Sequence, residues 1–135
     1  MTGFSKWPWW RRWFGRKAER TAAAFLRTRG YRILATNVDD RRGELDILAI
    51  HGDLLAVVEV RSSESRSLPA IAATVDFVKQ KRIADATLRF LSRRRKLGIT
   101  VRFDILAVRW PPGEPPEFLL IPGAFDSPGR GQMWS

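Results

Sequence analysis

From residue 31 onward the chain switches between two hydrophobic periods. YRILATNV (31–38) reads as a strand, and GELDILAI (43–50) carries apolar residues at every second position, the period of a half-buried strand. In the second segment Leu45, Ile47 and Ala49 fall on one face, and Glu44, Asp46, Leu48 and Ile50 on the other. LLAVVEVR (54–61) opens with five apolar residues in succession, as in a strand covered on both faces, and then places Glu59 inside the strand. On either side the period lengthens to that of a helix. Ala18, Ala22, Phe25 and Leu26 mark a helix over about 16–29, stopped by Gly30. A second helix runs from an Asp76 N-cap to about Lys96, with Gly98 beyond it. ITVRFDILAVRW (99–110) reads as a strand, PPGEPP as a stiff connector and EFLLIP (117–122) as a short last strand. DDRRG (39–43), HGD (51–53) and SSESRSLP (62–69) read as loops or turns.

The order is therefore helix, three strands, helix, strand, short strand. Short turns make a meander of the first three strands, and the long helix returns the fourth parallel to the third. This predicts an α/β (α+β) fold, with a mixed central sheet flanked by helices. Its 135 residues suffice for one domain with a core. The expected organisation is a Trp/Arg-rich extension over 1–15, a single domain over 16–125 and a loose tail over 126–135.

Register supplies the first chemical clue. If Gly52 and Asp53 are the two residues of a type II′ turn, Ile50 pairs with Leu55, Leu48 with Val57 and Asp46 with Glu59. A four-residue loop keeps that register, whereas a three-residue loop sets the two acids on opposite faces. As direct neighbours their Cβ atoms stand roughly 4.5–5.5 Å apart. Two carboxylates so placed need a shared proton or a cation between them. Arg61, two residues beyond Glu59, shares its face, near Glu44. Glu19 lies at the edge of the first helix's apolar stripe, able to reach over the sheet. Two readings stay open for Asp46 and Glu59, a metal site and a structural cluster of ion pairs with arginine; for Glu19 the second reading is a solvated helix carboxylate.

Composition narrows the chemistry. There is no cysteine, which excludes disulfides, thiol catalysis and thiolate-bound zinc. The lone histidine, His51, reads as an exposed turn residue. Carboxylates, lysine and arginine remain, a set suited to hard cations such as Mg²⁺ or Mn²⁺. The formal net charge of +10 points to a polyanion or an anionic membrane surface. No apolar run approaches the roughly 20 residues that cross a bilayer, and the N-terminus lacks a signal-peptide pattern. The expected location is cytoplasmic. Arg41 and Arg42, just before Glu44, are placed to follow a nucleic-acid backbone. Lys79 sits in the first turn of the second helix, where a cation opposes the helix dipole; phosphate binding and a solvated face both account for it. Arg93, Arg94, Arg95 and Lys96 sit where cations favour that dipole. Trp7, Trp9, Trp10 and Trp13 interleave with Lys6, Arg11 and Arg12, an arrangement suited to stacking on bases, to a membrane interface or to folding back on the domain or on a dimer partner.

GYRILATN, GELDILAI, VVEVR, VDFVKQKRIADATLRFL and VRFDILAV, in that order, resemble the YraN-like family of small bacterial proteins over about residues 16–110. That family is grouped with restriction-endonuclease-like folds and is distantly similar to archaeal Holliday junction resolvases. The resemblance implies an α-β-β-β-α-β core of the PD-(D/E)xK nuclease type. It makes Asp46 the motif aspartate and Glu59 the motif glutamate, the two metal-holding acids. Arg61 then stands at the motif lysine, Glu19 is the first-helix acid and Glu44 the acid of the GE(I/L)D motif. Lys79 and Arg82 match a KxxR pair on the second helix. The implied activity is metal-dependent phosphodiester hydrolysis, on DNA rather than RNA and on branched or structured DNA in particular, with a homodimer as the form that would suit a four-way junction. Arginine at position 61 departs from the motif, because it stays protonated and cannot serve as a base. A nucleic-acid-binding module with a vestigial site, or a membrane-surface or partner adaptor led by the tryptophan segment, are the alternatives.

Overall fold

The computed structural model describes residues 9–40, 42–96 and 98–127, and for residues 9–15 and 40 the backbone alone. Helix α1 spans Trp9–Thr28, followed by strands β1 (Tyr31–Asp40), β2 (Gly43–His51) and β3 (Leu54–Ser63). Helices α2 (Leu68–Ala72) and α3 (Phe77–Arg93) precede β4 (Val101–Arg109) and β5 (Glu117–Phe125). The five strands form one sheet in chain order. Only β3 and β4 run parallel, and the other neighbours are antiparallel. This mixed sheet with helices on both faces is the expected α+β architecture and is consistent with a restriction-endonuclease-like core.

Burial follows from the pattern. Ala22, Ala23 and Leu26 of α1 pack on one face against Ile47, Ala49, Ala56, Val58, Leu106 and Val108. The alanines let the helix approach the sheet closely. On the other face Ile71, Ala72, Ile83, Ala84 and Leu91 of α2 and α3 cover Leu48, Leu55, Val57, Phe103 and Ile105. Both β3 and β4 are thus covered twice, which is why their sequences read as apolar runs.

Gly52 and Asp53 form the β2–β3 turn, with Gly52 at φ +65° and Ile50 opposite Leu55 as expected. Asp76 caps α3, its carboxylate accepting the Lys79 backbone N–H at 2.9 Å. Asp76→Ala should therefore cost about 1 kcal/mol, read as a lower urea midpoint with unchanged far-UV dichroism.

Several boundaries differ from expectation. Helix α1 starts at Trp9, upstream of Arg16, and α3 ends at Arg93, short of Lys96. β1 continues through Asp39 and Asp40, where a loop was expected, because both residues pair with β2. The loop over 62–69 is cut at both ends: Ser62 and Ser63 belong to β3, and α2 begins at Leu68 behind a Ser67 cap with a proline in its first turn. β5 runs on to Phe125 through an irregularity around Pro122–Gly123. Leu45 packs with Leu48 on the α3 side rather than with Ile47 and Ala49. Strict alternation breaks there, opposite Asn37, whose φ of +52° kinks β1.

His51 is not an exposed turn residue. It ends β2, half-buried, with its ring stacked on Tyr31 at 4.1 Å between centroids. Its Nδ1 lies 2.9 Å from Nη2 of Arg102. Residues 1–8 and 128–135 and the side chains of 9–15 lie outside the described residues. The base-stacking, membrane and fold-back readings of the tryptophan segment fall there, as does most of the expected tail.

Candidate active site

The β2–β3 ladder closes at Ile47 opposite Val58, one step short of the expected Asp46–Glu59 pair. Here Asp46 uses its side chain in place of its backbone, Oδ2 accepting the Val60 N–H at 2.9 Å. The strands part around two acids that the hairpin register has placed side by side. Glu59 is 5% exposed, and its Oε2 lies 3.5 Å from Nε of Arg61 and 3.6 Å from Nζ of Lys79 on α3. From the opposite side α1 brings Glu19. One carboxylate oxygen from each of Glu19, Glu44 and Asp46 falls within 4.8 Å of the other two. With its amide turned to donate, the Asn37 nitrogen reaches the two Glu19 oxygens at 2.6 and 2.8 Å.

Four carboxyl groups thus meet two cations in a poorly hydrated rim, and the protonation equilibria respond. Burial drives the Asp46 carboxyl well above the usual range, and the negative charge of Glu59 adds to it. Glu59 is also raised by burial, against the opposing pull of Lys79 and Arg61. The hydrogen bond between the two acids favours the proton on Asp46. Glu19 is pushed up to about 8, by burial first and then by Asp46 and Glu44. Glu44 is raised by burial and by the charges of Asp46 and Asp39. Among protein groups alone the cluster holds too much negative charge to ionise fully. Protons relieve that excess, and a divalent cation would relieve it in their place.

A sign follows for the metal-free protein. Between its unfolded value of 4.5 and about 8, Glu19 binds a proton in the folded state that the unfolded chain has released. Stability from this group is therefore full below the lower value and lost as pH rises through the upper one. Urea midpoints measured in EDTA should fall across this window, and Glu19→Gln should flatten the slope by about one proton. A wild-type midpoint that rises across the window would contradict the cluster's electrostatics.

Of the residues expected to act, the fold brings Glu19, Glu44, Asp46, Glu59, Arg61 and Lys79 to one end of the sheet. Lys79 faces Glu59, although the sequence suggested only a phosphate or solvent for it. Arg42 and Arg82 are exposed, and Arg41 lies outside the described residues. Asn37, the last residue of GYRILATN, carries no site role in the sequence reading, where a polar residue within an apolar strand was the available signal.

The chain matches the model of uncharacterised protein family UPF0102 over residues 18–108. It is 39% identical to a UPF0102 protein of Anaeromyxobacter dehalogenans over 120 residues, 89% of either chain. A UPF0102 protein of Rhodopirellula baltica is 43% identical over 103 residues, which are 75% of this chain and 62% of that longer one. With a UPF0102 protein of Myxococcus xanthus the identity is 38% over 117 residues, 87% of this chain and 92% of the relative. All six of the site residues just named lie inside the matched range.

Proposed function

This chain belongs to the UPF0102 family, and on that premise we propose that it is a divalent-metal-dependent nuclease that hydrolyses phosphodiester bonds of nucleic acid, DNA before RNA, with branched or otherwise structured DNA as its preferred substrate. The observation that carries this reading is the meeting of Glu19, Glu44, Asp46 and Glu59 where β2 and β3 part, with Lys79 and Arg61 beside them. An all-oxygen donor set with raised proton affinities fits Mg²⁺ or Mn²⁺. The net charge of +10 supports a polyanionic substrate.

Asp46 would hold the ion; Glu19 and Glu44 would join it, whereas Glu59, the second metal-holding acid of the resemblance, is engaged by Arg61 and Lys79 and would complete the negative wall. When bound, the ion would polarise the phosphodiester and lower the pKa of an attacking water. The chain's own part is positioning. The Val60 N–H fixes the Asp46 carboxylate, and rigid strands hold both acids of the hairpin. Lys79 and Arg61, held by Glu59, place two positive charges where negative charge grows on the phosphoryl oxygens. Arg61 serves as a fixed charge only, and Lys79 adds an ammonium 3.6 Å from Glu59.

Arg61 also favours a second reading, a binding module of the same fold without hydrolysis. Cleavage of labelled duplex, single-stranded and four-way-junction DNA in Mn²⁺, Mg²⁺ or EDTA separates the two. Cutting that needs the metal is the expected result. Salt-sensitive binding without cutting under any condition would establish the binding module instead. Among the described residues no helix is long and apolar enough to cross a membrane.

A further inference from the structure

The end of β3 sets Arg61 beside Glu59 and also in the wall of an adjoining cleft. This cleft, of about 220 Å³, is lined by Arg61, Ser62 and Ser63 of β3, Arg66 of the following loop, and Ile71 and Thr74 at and just beyond α2. Liquid water takes about 30 Å³ per molecule, so the space admits a phosphate-sized group. Two guanidinium groups and three hydroxyls line it, and none of its lining residues is acidic. Ser63 Oγ accepts the backbone N–H of Ser65 at 3.3 Å and of Arg66 at 3.2 Å. With its lone pairs so engaged, the hydroxyl has its O–H left to donate. The same turn sets where Arg66 leaves the backbone. Nε of Arg61 is buried and faces Glu59 at ion-pair distance, so it is the rest of the guanidinium that the cleft can use. The Thr74 hydroxyl donates to the Ile71 carbonyl at 2.7 Å, but the Ser63 and Ser62 hydroxyls and two guanidinium groups, with no acid in the lining, describe a receptor for an oxyanion.

We infer that this cleft holds a backbone phosphate of the bound strand next to the one presented to the carboxylates, with Arg66 and Arg61 as its charges. The identity of the ligand rests on the nuclease reading; the anion site itself does not. Arg61 belongs to both places, so a strand whose scissile group lies at Asp46 continues along β3 into the cleft. Free phosphate would satisfy the same donors, but only a polymer gains from both places at once.

The test uses the full chain in EDTA, where cutting cannot intervene. A short oligothymidylate and, separately, inorganic phosphate are titrated while the Arg61 Nε–H signal and the Ser63, Arg66 and Thr74 amides are followed by NMR. The oligonucleotide should move these signals. Arg66→Ala, an exposed side chain whose loss leaves the core intact, should weaken its binding about tenfold and lower the salt slope by roughly 1. Phosphate should need far higher concentrations. Oligonucleotide affinity unchanged in Arg66→Ala, cleft signals that stay still, or phosphate binding as tightly as the polymer would each overturn the inference. Metal-dependent cutting with a silent cleft would remove this inference alone. Binding in the cleft with no cutting in any metal would support the cleft while removing the nuclease reading.

Discussion

Asp46→Asn is expected to abolish metal-dependent cleavage, a loss on the order of a thousandfold, while making the metal-free protein more stable. Both effects come from the same atom positions. Asparagine keeps an oxygen for the Val60 N–H and can still donate to Glu59, so the strands part as before. It removes the negative charge that lies among Glu19, Glu44 and Glu59 and that helps to raise the proton affinity of each of the first two. The variant imitates the protonated acid, the form that burial already favours. The checks are single-turnover cleavage in Mn²⁺, and urea midpoints with and without the ion. Mn²⁺ should raise the midpoint of the wild type by binding the folded state and leave that of the variant nearly unmoved. Cleavage at the wild-type rate by the variant would end the metal-site reading of Asp46.

The second large effect lies away from the carboxylate rim. Asp104 is fully buried in β4 and collects four donors. Arg102 reaches it in a fork, Nε to Oδ1 and Nη2 to Oδ2, each at 2.8 Å. The Tyr31 hydroxyl donates to Oδ2 at 2.7 Å, and the Gly123 N–H to Oδ1 at 2.9 Å. The same Arg102 Nη2 also donates to the Tyr31 oxygen at 3.0 Å. Arg102→Ala would strip the fork and leave the carboxylate buried with two donors. Breaking a buried pair in this way costs about 3–5 kcal/mol, a large share of the 5–15 kcal/mol typical of a domain. Urea unfolding at neutral pH measures it. Asp104→Asn, which removes the charge as well, should cost less. A loss below about 1 kcal/mol in Arg102→Ala would mean that water replaces the guanidinium.

The two acids buried in strands were unequally legible. Glu59 announced itself as a charge within an apolar run, and the Gly-Asp turn supplied the register that put Asp46 beside it. The signal for Asp104 in VRFDILAV was of the same kind, but its partners were not local. Tyr31 stands 73 positions away, and Gly123 reaches it only through the β5 irregularity. The Asp76 cap and the parallel return of β4 were readable because capping and crossover rules act locally or on topology. Lys79 facing Glu59 was not, since it depends on the angle at which α3 crosses the sheet. Nor was Leu45, whose face is set by a left-handed asparagine on the neighbouring strand. Helix α2 was readable in principle from Ser67 and Pro69, but five residues leave too short a period to recognise.

The irregularity in β5 has a consequence beyond serving Asp104. Among the described residues β1 and β5 are the sheet's two borders, each with one side of its backbone unpaired by a neighbouring strand. Neither border is regular. In β1 the extra residue Leu34 and the kink at Asn37 interrupt the row, and in β5 Pro122 offers no N–H and Gly123, at φ +60°, turns its own inward. A second copy approaching edge-on meets a donor–acceptor sequence that it can match over only part of its length. The irregularity that completes a buried ion pair inside the molecule thus also spoils the template for uncontrolled stacking of one sheet on the border of the next.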